Sequence, residues 1–458
     1  MQSRIGRAPA IFSIMNFPKF GPILAAGLLS ALPLRAQTNV TLALVGGQII
    51  DGDEGPPIPD GVILVAGDRI AAVGRRSELA VPAGVPVIDT RGMSVMPGLA
   101  DMHVHLMILG HSDYAYWDKK YAGRFATEVM PIAAKQLLES GVTFARDLGA
   151  PLDDILAVRG RIDRGEIPGP RMFVSGPFIQ KKAYNPWEES YRWGVNGAAD
   201  AHAKVKRLVD AGVDVIKLID QDQLTDDEVK AVVDTAHAGG KPVVAHAHRE
   251  EEIRMGLKYG VDSFEHTGLA TEPGYPEDIL AGIRKRNNTL YWCPTIEGLF
   301  LADYTARTFP ERLNDPAWQK DMPPEMALDI RRSLENITHL DYFTLTFRRL
   351  PTLAHKFQQL RDTGVTLLVG TDSGIPANFH TDSTWRELDT WVKLGMTPMQ
   401  AIAGATRWPA RFLHRENDLG TIAPGRFADI VAVRGDVLSN VALLQHVDVV
   451  VKGGKRVK

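Results

Sequence analysis

Two stretches of this chain decide its fold class: DAHAKVKRLVDAGVDVIKL at residues 200–218, and TDDEVKAVVDTAHAGGKPVVAHAH at residues 225–248. Each begins with apolar residues three and four positions apart, the period of an amphipathic helix, and each contains a short apolar run typical of a buried strand. Helices that alternate with buried strands predict a parallel sheet, so we expect an α/β protein.

The same alternation continues on both sides of these stretches. Eight short runs are candidate strands: SVMPGLADMH, GVTFARD, RMFVSG, GVDVIKL, KPVVAH, GVDSFEH, TLYWCP and GVTLLVGTD. Eight such repeats close naturally into a (β/α)8 TIM barrel, which we place at residues 97–418. In that fold the functional groups lie at the carboxyl ends of the strands.

Both ends of the chain are rich in short β-like segments separated by turn residues. Residues 37–96 include GVILVAGDRIAAVG, and residues 419–458 include GRFADIVAVRGD. Neither end has enough apolar length to form a core alone. We therefore expect the two ends to form one small composite β-sandwich domain.

The first 36 residues predict an export signal. Basic residues precede a short apolar run, GPILAAGLLSAL, and a plausible cleavage site follows it. The run is shorter than the about 20 residues that span a bilayer, although an uncleaved membrane anchor is the alternative. We expect an exported protein, periplasmic or secreted, that has no membrane contact once the signal is removed.

Composition narrows the classes of partner. The formal net charge is −3, which argues against nucleic acid, because phosphate binding requires a basic face. The single cysteine, Cys293, excludes an intrachain disulfide and is expected in the core. We expect a small-molecule or dipeptide substrate as the partner.

Six polar side chains stand at or just beyond the ends of the predicted strands: His103, His105, Lys217, His246, His266 and Asp372. Imidazole and carboxylate groups are ligands of divalent metals, and alternate residues of a strand share a face. A lone HxH pair could be two ordinary polar residues, but six converging groups predict a two-metal site and a metal-dependent hydrolase.

Lys217 is unusual because it lies within the apolar run VDVIKLI. Burial of an ammonium group is costly and lowers its pKa. The neutral amine could react with carbon dioxide to give a carbamate whose two oxygens bridge two metals. The alternative is a lysine that extends past the strand end into solvent. We favour the carbamate, that is, a carboxylated Lys217.

Two residues are predicted to be catalytic. Asp372 could accept a proton from a metal-bridging hydroxide or water that attacks a carbonyl, and pass it to the leaving amine. His248 faces inward by the same alternation as His246. It could contact the substrate carbonyl, hydrogen-bond to a ligand, or replace His246 as a ligand. His111, His339 and His380 are weaker candidates for substrate contact.

The chain resembles the amidohydrolase superfamily, and within it the imidazolonepropionase-like group that includes Xaa-Pro dipeptidases and ochratoxin-hydrolysing amidases. The matching motifs are PGLADMHVH, GVTFARDLG, GPRMFVSG, GVDVIKL, VVAHAH, GVDSFEHTG, GTDSG and LGTIAPGRFADIVAV. The resemblance implies homo-oligomers and two metal ions, usually Zn²⁺. It implies His103, His105, Lys217 and Asp372 for one metal, and carboxylated Lys217, His246 and His266 for the other.

The same resemblance implies cleavage of the amide bond before a C-terminal amino acid, in dipeptides or N-acyl amino acids. A lactonase, an esterase or a cyclic-amide hydrolase with the same metals is the alternative. The carboxylate of the released amino acid would need a cation in the pocket. The aromatic side chains of QKKAYNPWEESYRWG would suit an apolar acyl group, or they could simply pack this loop onto the barrel. The candidate substrate-binding residues are Lys181, Tyr184, Tyr191, Arg192 and Arg249. The long connection at about 295–350 could cover the site or form an oligomer contact.

Overall fold

The computed structural model describes residues 39–268, 272–296 and 310–458, so the predicted signal at 1–36 lies outside the described residues. The strands are β1 (Leu42–Ile49), β2 (Ile58–Ala66), β3 (Arg69–Arg75), β4 (Val87–Asp89), β5 (Met93–Pro97), β6 (Leu99–Val104), β7 (Val142–Asp147), β8 (Arg171–Val174), β9 (Phe178–Gln180), β10 (Arg192–Gly194), β11 (Ile216–Leu218), β12 (Val243–His246), β13 (Ser263–Glu265), β14 (Tyr291–Cys293), β15 (Thr366–Leu367), β16 (Ile430–Arg434), β17 (Val449–Lys452) and β18 (Lys455–Arg456). The α-helices are α1 (Tyr114–Tyr121), α2 (Met130–Glu139), α3 (Leu152–Asp163), α4 (Ala198–Asp210), α5 (Asp226–Ala238), α6 (Glu250–Tyr259), α7 (Glu277–Arg286), α8 (Pro316–Gln319), α9 (Pro324–Ser333), α10 (Asp341–Asp362), α11 (Ser383–Lys393), α12 (Pro398–Gly404) and α13 (Arg407–Phe412).

The barrel is built from parallel strands in chain order. β6, β7 and β8 form one ladder, and β11 to β15 form another. The backbone N–H of Asp214 donates to the Val174 carbonyl at 2.8 Å, which joins the ladders on one side. The N–H of Asp372 donates to the His103 carbonyl at 2.7 Å, which closes the other side. The predicted (β/α)8 barrel is confirmed, and each predicted run contains one of its strands.

Local sequence signals fix the helices that separate these strands. At the start of α5, the Thr225 hydroxyl accepts from the N–H of Glu228 at 3.2 Å, and the Glu228 carboxylate accepts from the N–H of Thr225 at 2.9 Å. This capping box satisfies two N–H groups that the helix cannot pair internally. The apolar face of α5, which includes Val229 and Val232, then packs against the barrel core.

The two ends of the chain share one sheet. Its strand order is β18–β17–β16–β5–β1–β2–β3, with β4 paired to β1. β16 pairs antiparallel with β5, so a C-terminal strand lies directly beside an N-terminal one. Its core includes Leu44, Ile63, Val95 and Ile430. The joint sheet is thus present, while the bounds 37–96 and 419–458 of a separate domain stay a prediction.

Only Gly98 separates this sheet from the barrel, between β5 and β6. A Cβ atom at this position would lie 2.1 Å from the Thr143 hydroxyl oxygen, so a side chain has no room. The Gly98 backbone therefore packs closely against Thr143. Through this one residue, β5 continues into β6, the strand that carries His103.

In its described part, the long connection between β14 and β15 is largely helical rather than an extended loop. Its described part contains α8, α9 and α10, and its residues 297–309 lie outside the described residues. Leu345 and Arg349 of α10 reach the mouth of the barrel. No helix in the described ranges is both long enough and apolar enough to cross a membrane.

Candidate metal centre

Two groups of three side chains meet at the carboxyl ends of the barrel strands. One group is His103, His105 and Asp372, and the other is His246, His248 and His266. Within each group the possible ligand atoms all lie within 4.8 Å of one another. The rings of His103 and His266 are 4.8 Å apart, so the two groups adjoin. All five predicted imidazole and carboxylate ligands are therefore brought together, and His248 lies with them.

The backbone at two of these residues is strained. His266 has φ = 75° and Asp372 has φ = 58°, both in the left-handed region that residues with a Cβ atom seldom occupy. Such conformations persist where the surrounding structure fixes them, and they cluster at functional sites. Each of these two residues follows the end of a barrel strand, and its backbone conformation turns the polar side chain towards the barrel mouth.

Lys217 of β11 lies in the same place, is fully buried, and its Nζ has no hydrogen-bond partner among the described residues. Burial lowers the pKa of Lys217 to about 8, although the charges of Glu265 and Asp372 partly oppose this. A neutral amine is therefore accessible near neutral pH. An unpartnered buried polar group is costly, and a carbamate bound to metal would satisfy it. The residues present therefore suit the binding of two metal ions.

The protonation states of the other groups suit metal binding. Burial, assisted by the nearby Lys217, holds the pKa values of His103 and His246 well below the ordinary range. Burial also lowers the pKa of His248, with the charge of Arg349 as the next cause, and that of His266, with the neighbouring imidazoles as the next cause. Burial alone would raise the pKa of Asp372, but His103 and His105 lower it more strongly. These four imidazoles are thus neutral and Asp372 is a carboxylate, the forms that bind metals.

A buried ion pair orients His103. Its Nδ1 lies 2.9 Å from one carboxylate oxygen of Glu265. The other oxygen of the same carboxylate accepts from the Arg146 guanidinium at 2.7 Å. The contact makes Nδ1 the protonated nitrogen and leaves Nε2 facing the centre. Sequence reasoning missed Glu265 and Arg146. Each is a charged residue inside an apolar strand, the same signal that singled out Lys217.

We expect Glu265→Gln to weaken metal binding about 10- to 100-fold, because the amide no longer fixes the orientation and basicity of His103. It should also destabilise the metal-free protein by about 3–5 kcal/mol, since Arg146 keeps a buried charge without its partner. Competition with a chromogenic chelator measures the first effect, and chemical denaturation measures the second. Unchanged affinity in a fully folded variant would contradict this role.

A cavity of about 390 Å³ opens beside the two groups. Four of the five predicted substrate-binding residues line it: Tyr184, Tyr191, Arg192 and Arg249. Lys181 does not line it, because its ammonium pairs with the buried Glu228 carboxylate at 2.7 Å. That ion pair holds Lys181 away from the cavity that we expected it to serve.

Other cavity residues were not predicted, among them Tyr114, Asp118, Phe178 and Arg349. Tyr114 and Asp118 come from α1, and Arg349 comes from α10. Neither helix carries a motif, and only the tertiary structure shows that both fold back over the barrel mouth.

Asp118 is buried, and one of its oxygens accepts from the Tyr191 hydroxyl at 2.6 Å. Burial raises the pKa of Asp118 from 3.8 to about 6; Glu188 raises it further, and the Tyr191 hydrogen bond and Arg192 oppose the shift. The native state therefore binds a proton here more tightly than the unfolded chain. The stability this provides is complete below about pH 4 and is lost as the pH rises through about 6.

We expect Asp118→Asn to become more stable relative to the parent protein as the pH rises from about 4 to about 7, because the amide stays neutral. The gain should reach about 1–2 kcal/mol after allowance for solvent screening. Urea denaturation of both metal-free proteins across this range measures it. A stability difference that does not change with pH would contradict the raised pKa.

The weaker histidine candidates, His111, His339 and His380, do not line the cavity, and neither does the cysteine. The Nδ1 of His111 instead accepts from the N–H of Asp113 at the start of α1. Cys293 is buried in the barrel core, and burial raises the pKa of its thiol, as expected for an unreactive core residue.

A (β/α)8 barrel with converging imidazole and carboxylate groups at one end defines a class of metal-binding hydrolases. Residues 94–457 match the amidohydrolase family, and the chain belongs to that family. It is accordingly a hydrolase that acts on amide or peptide bonds. The resemblance drawn from the sequence motifs is confirmed.

The named relatives extend over nearly the whole chain. The alignment with ochratoxinase of Aspergillus niger is 472 residues long and has 25% identity. It covers 92% of this chain and 87% of that protein. A Xaa-Pro dipeptidase crystallised with methionine in its active site has a TM-score of 0.71 at 25% identity, over 91% of this chain and 99% of the other. Molinate hydrolase has a TM-score of 0.74 at 20% identity, over 92% and 95% of the two chains, and shows the fold alone.

Proposed function

We propose that this protein is a binuclear metal-dependent amidohydrolase that releases a C-terminal amino acid from dipeptides or N-acyl amino acids. The observation that carries the proposal is the position of Lys217, which is buried and has no hydrogen-bond partner among the described residues. It lies near enough to His103 of one group and His246 of the other to lower the pKa of both. The names of the ochratoxinase and Xaa-Pro dipeptidase relatives support an amide or peptide substrate.

The donor set favours two divalent ions, with zinc the best match to imidazole and carboxylate ligands. The proposed ligands of one ion are His103, His105, Asp372 and carboxylated Lys217; those of the other are Lys217, His246 and His266. Carboxylation forms a bond from Lys217 Nζ to the carbon of carbon dioxide and releases one proton. His248 belongs to the second group, and its Nδ1, which has no hydrogen-bond partner in the described part of the chain, also makes it a candidate donor to the substrate carbonyl.

When bound, the two ions supply Lewis acidity to the scissile carbonyl and to the attacking water. The work of the protein is then to move a proton. Asp372 is held as a carboxylate beside His105, with 3.2 Å between its oxygen and the imidazole Nε2. It can accept a proton from the attacking water and pass it to the leaving nitrogen, which departs as an amine.

The cavity suits a substrate of this kind. Its volume of about 390 Å³ lies within the range of small-molecule sites. Phe178, Tyr184 and Tyr191 supply apolar surface, while arginines supply positive charge. A peptide-like molecule with an apolar part and one carboxylate matches this combination.

The direct test is hydrolysis of a library of dipeptides and N-acyl amino acids by enzyme supplied with zinc and bicarbonate, with products identified by mass spectrometry. We expect release of free C-terminal amino acids. A metal-loaded protein that releases none, yet opens lactones, esters or cyclic amides, would overturn the proposal.

A further inference from the structure

The described residues that line the cavity include three arginines: Arg192, Arg249 and Arg349. A carboxylate group on the substrate would need one of them as its partner. The surroundings of Arg192 and Arg249 differ sharply, and that difference favours Arg192 over Arg249 for this role.

Arg249 is surrounded by negative charge. Its Nε donates to Asp222 at 2.7 Å, and its Nη2 contacts Asp220 at 2.7 Å and Glu252 at 2.9 Å. Three carboxylates around one guanidinium make the local charge negative. A further anion would be repelled there, so Arg249 serves to hold the ends of β11 and β12 together.

Arg192 has much less compensation. Its Nη1 donates to the Gln180 amide oxygen at 3.0 Å, and the Glu188 carboxylate lies 3.7 Å from its Nε. The Asp118 carboxylate makes no ion pair with it but is near enough for Arg192 to lower the pKa of that carboxylate. Its Nη2 donates to no described residue, and 16% of the side chain remains exposed. One side of the guanidinium fork is thus available to a ligand.

Aromatic rings hold this fork in place. The guanidinium carbon of Arg192 lies 4.8 Å from the centre of the Phe178 ring and 4.4 Å from that of Tyr184. Both rings line the cavity. Stacking on aromatic faces orients a planar guanidinium and leaves its edge free for two parallel bonds to a carboxylate. Such preorganisation reduces the entropy lost on binding.

We infer that Arg192 binds the carboxylate of the amino acid that leaves, and that this contact makes the enzyme select a free C-terminal carboxylate over a C-terminal amide. The inference rests on the proposed function and deepens it by naming the specificity-determining residue. A charge-assisted contact of this kind should favour the free acid about 10- to 100-fold in kcat/KM.

The test compares kcat/KM for the best dipeptide of the library and for its C-terminal amide. The parent enzyme should prefer the acid, and Arg192→Met should lose the preference through a higher KM for the acid alone. Arg192→Lys, which keeps the charge without the fork, should restore part of it. Arg249→Met should retain the preference even if its overall rate falls.

A matched control is Arg207→Met. Arg207 is also stacked on an aromatic ring, with its guanidinium carbon 4.8 Å from the centre of Trp193, but it is not among the residues lining the cavity. Its variant should treat both substrates as the parent does. If Arg192→Met reduces turnover of acid and amide equally, or if Arg349→Met alone abolishes the preference, the inference is wrong.

Binding without turnover separates this inference from the proposed function. Calorimetry with L-leucine and L-leucinamide should show the preference for the acid in the parent protein and its loss in Arg192→Met. Equal binding of the two ligands by the parent would overturn the inference while leaving amide hydrolysis intact. Absence of amide turnover would overturn the proposed function, and the binding preference would still decide the role of Arg192.

Discussion

Lys217→Ala is expected to hold fewer than two metal ions per chain and to lose at least about 1000-fold in kcat/KM on the best amide substrate. The reason is the position of Lys217, which is buried near both ligand groups and, once carboxylated, would be a ligand of both ions. Elemental analysis measures the metal content, and steady-state kinetics measure the activity.

Lys452→Ala is the matched control for this prediction. Lys452 lies in the sheet formed by the chain ends, and burial also lowers its pKa to about 8. Unlike Lys217, it has a partner, because its ammonium donates to the Gly169 carbonyl at 2.6 Å. Its metal content and activity should be unchanged. With ¹³C-bicarbonate, a carbamate carbon should be visible by NMR in the parent and in Lys452→Ala, and absent from Lys217→Ala. An active, two-metal Lys217→Ala protein would rule out the carbamate.

Asp372→Asn should reduce kcat on amides by about 10²- to 10⁴-fold, the range for loss of a general acid–base group. The amide keeps the shape of the side chain but cannot carry the proton from water to the leaving nitrogen. An activated ester needs no protonation of its leaving group, so its turnover should fall much less. The ratio of the two losses is the measurement.

Metal content must be followed in the same preparations, since Asp372 is also a proposed ligand. Equal losses on amide and ester, together with lower metal content, would indicate that Asp372 acts only in metal binding. Unequal losses at full metal content would establish the proton transfer.

The barrel and the convergence of its candidate metal ligands could be predicted from sequence because both depend on local patterns. Each apolar run marks a strand, and the residue at its end must face the barrel mouth in this fold. His103, Lys217 and Asp372 were therefore recognisable from their positions alone. The same reasoning, applied to charged residues within apolar runs, would have found Glu265.

The cavity walls could not be predicted, because they depend on contacts between residues far apart in the chain. Lys181 and Arg192 lie in one loop and carry the same charge, so the sequence does not distinguish them. Glu228 on α5 neutralises the first, whereas aromatic rings present the second to the cavity. Asp118 and Arg349 belong to helices whose place over the barrel mouth only the tertiary structure shows.

The pairing of β16 with β5 sets an order for the biosynthesis of this protein. β5 continues through Gly98 into β6 and so anchors the strand that carries His103. The ribosome makes β5 before all the candidate ligands and β16 after all of them. A nascent polypeptide therefore contains every candidate ligand before β16, the strand that pairs with β5, has been made. Metal loading is accordingly expected to follow translation, and a product terminated before Ile430 should be degraded rather than matured.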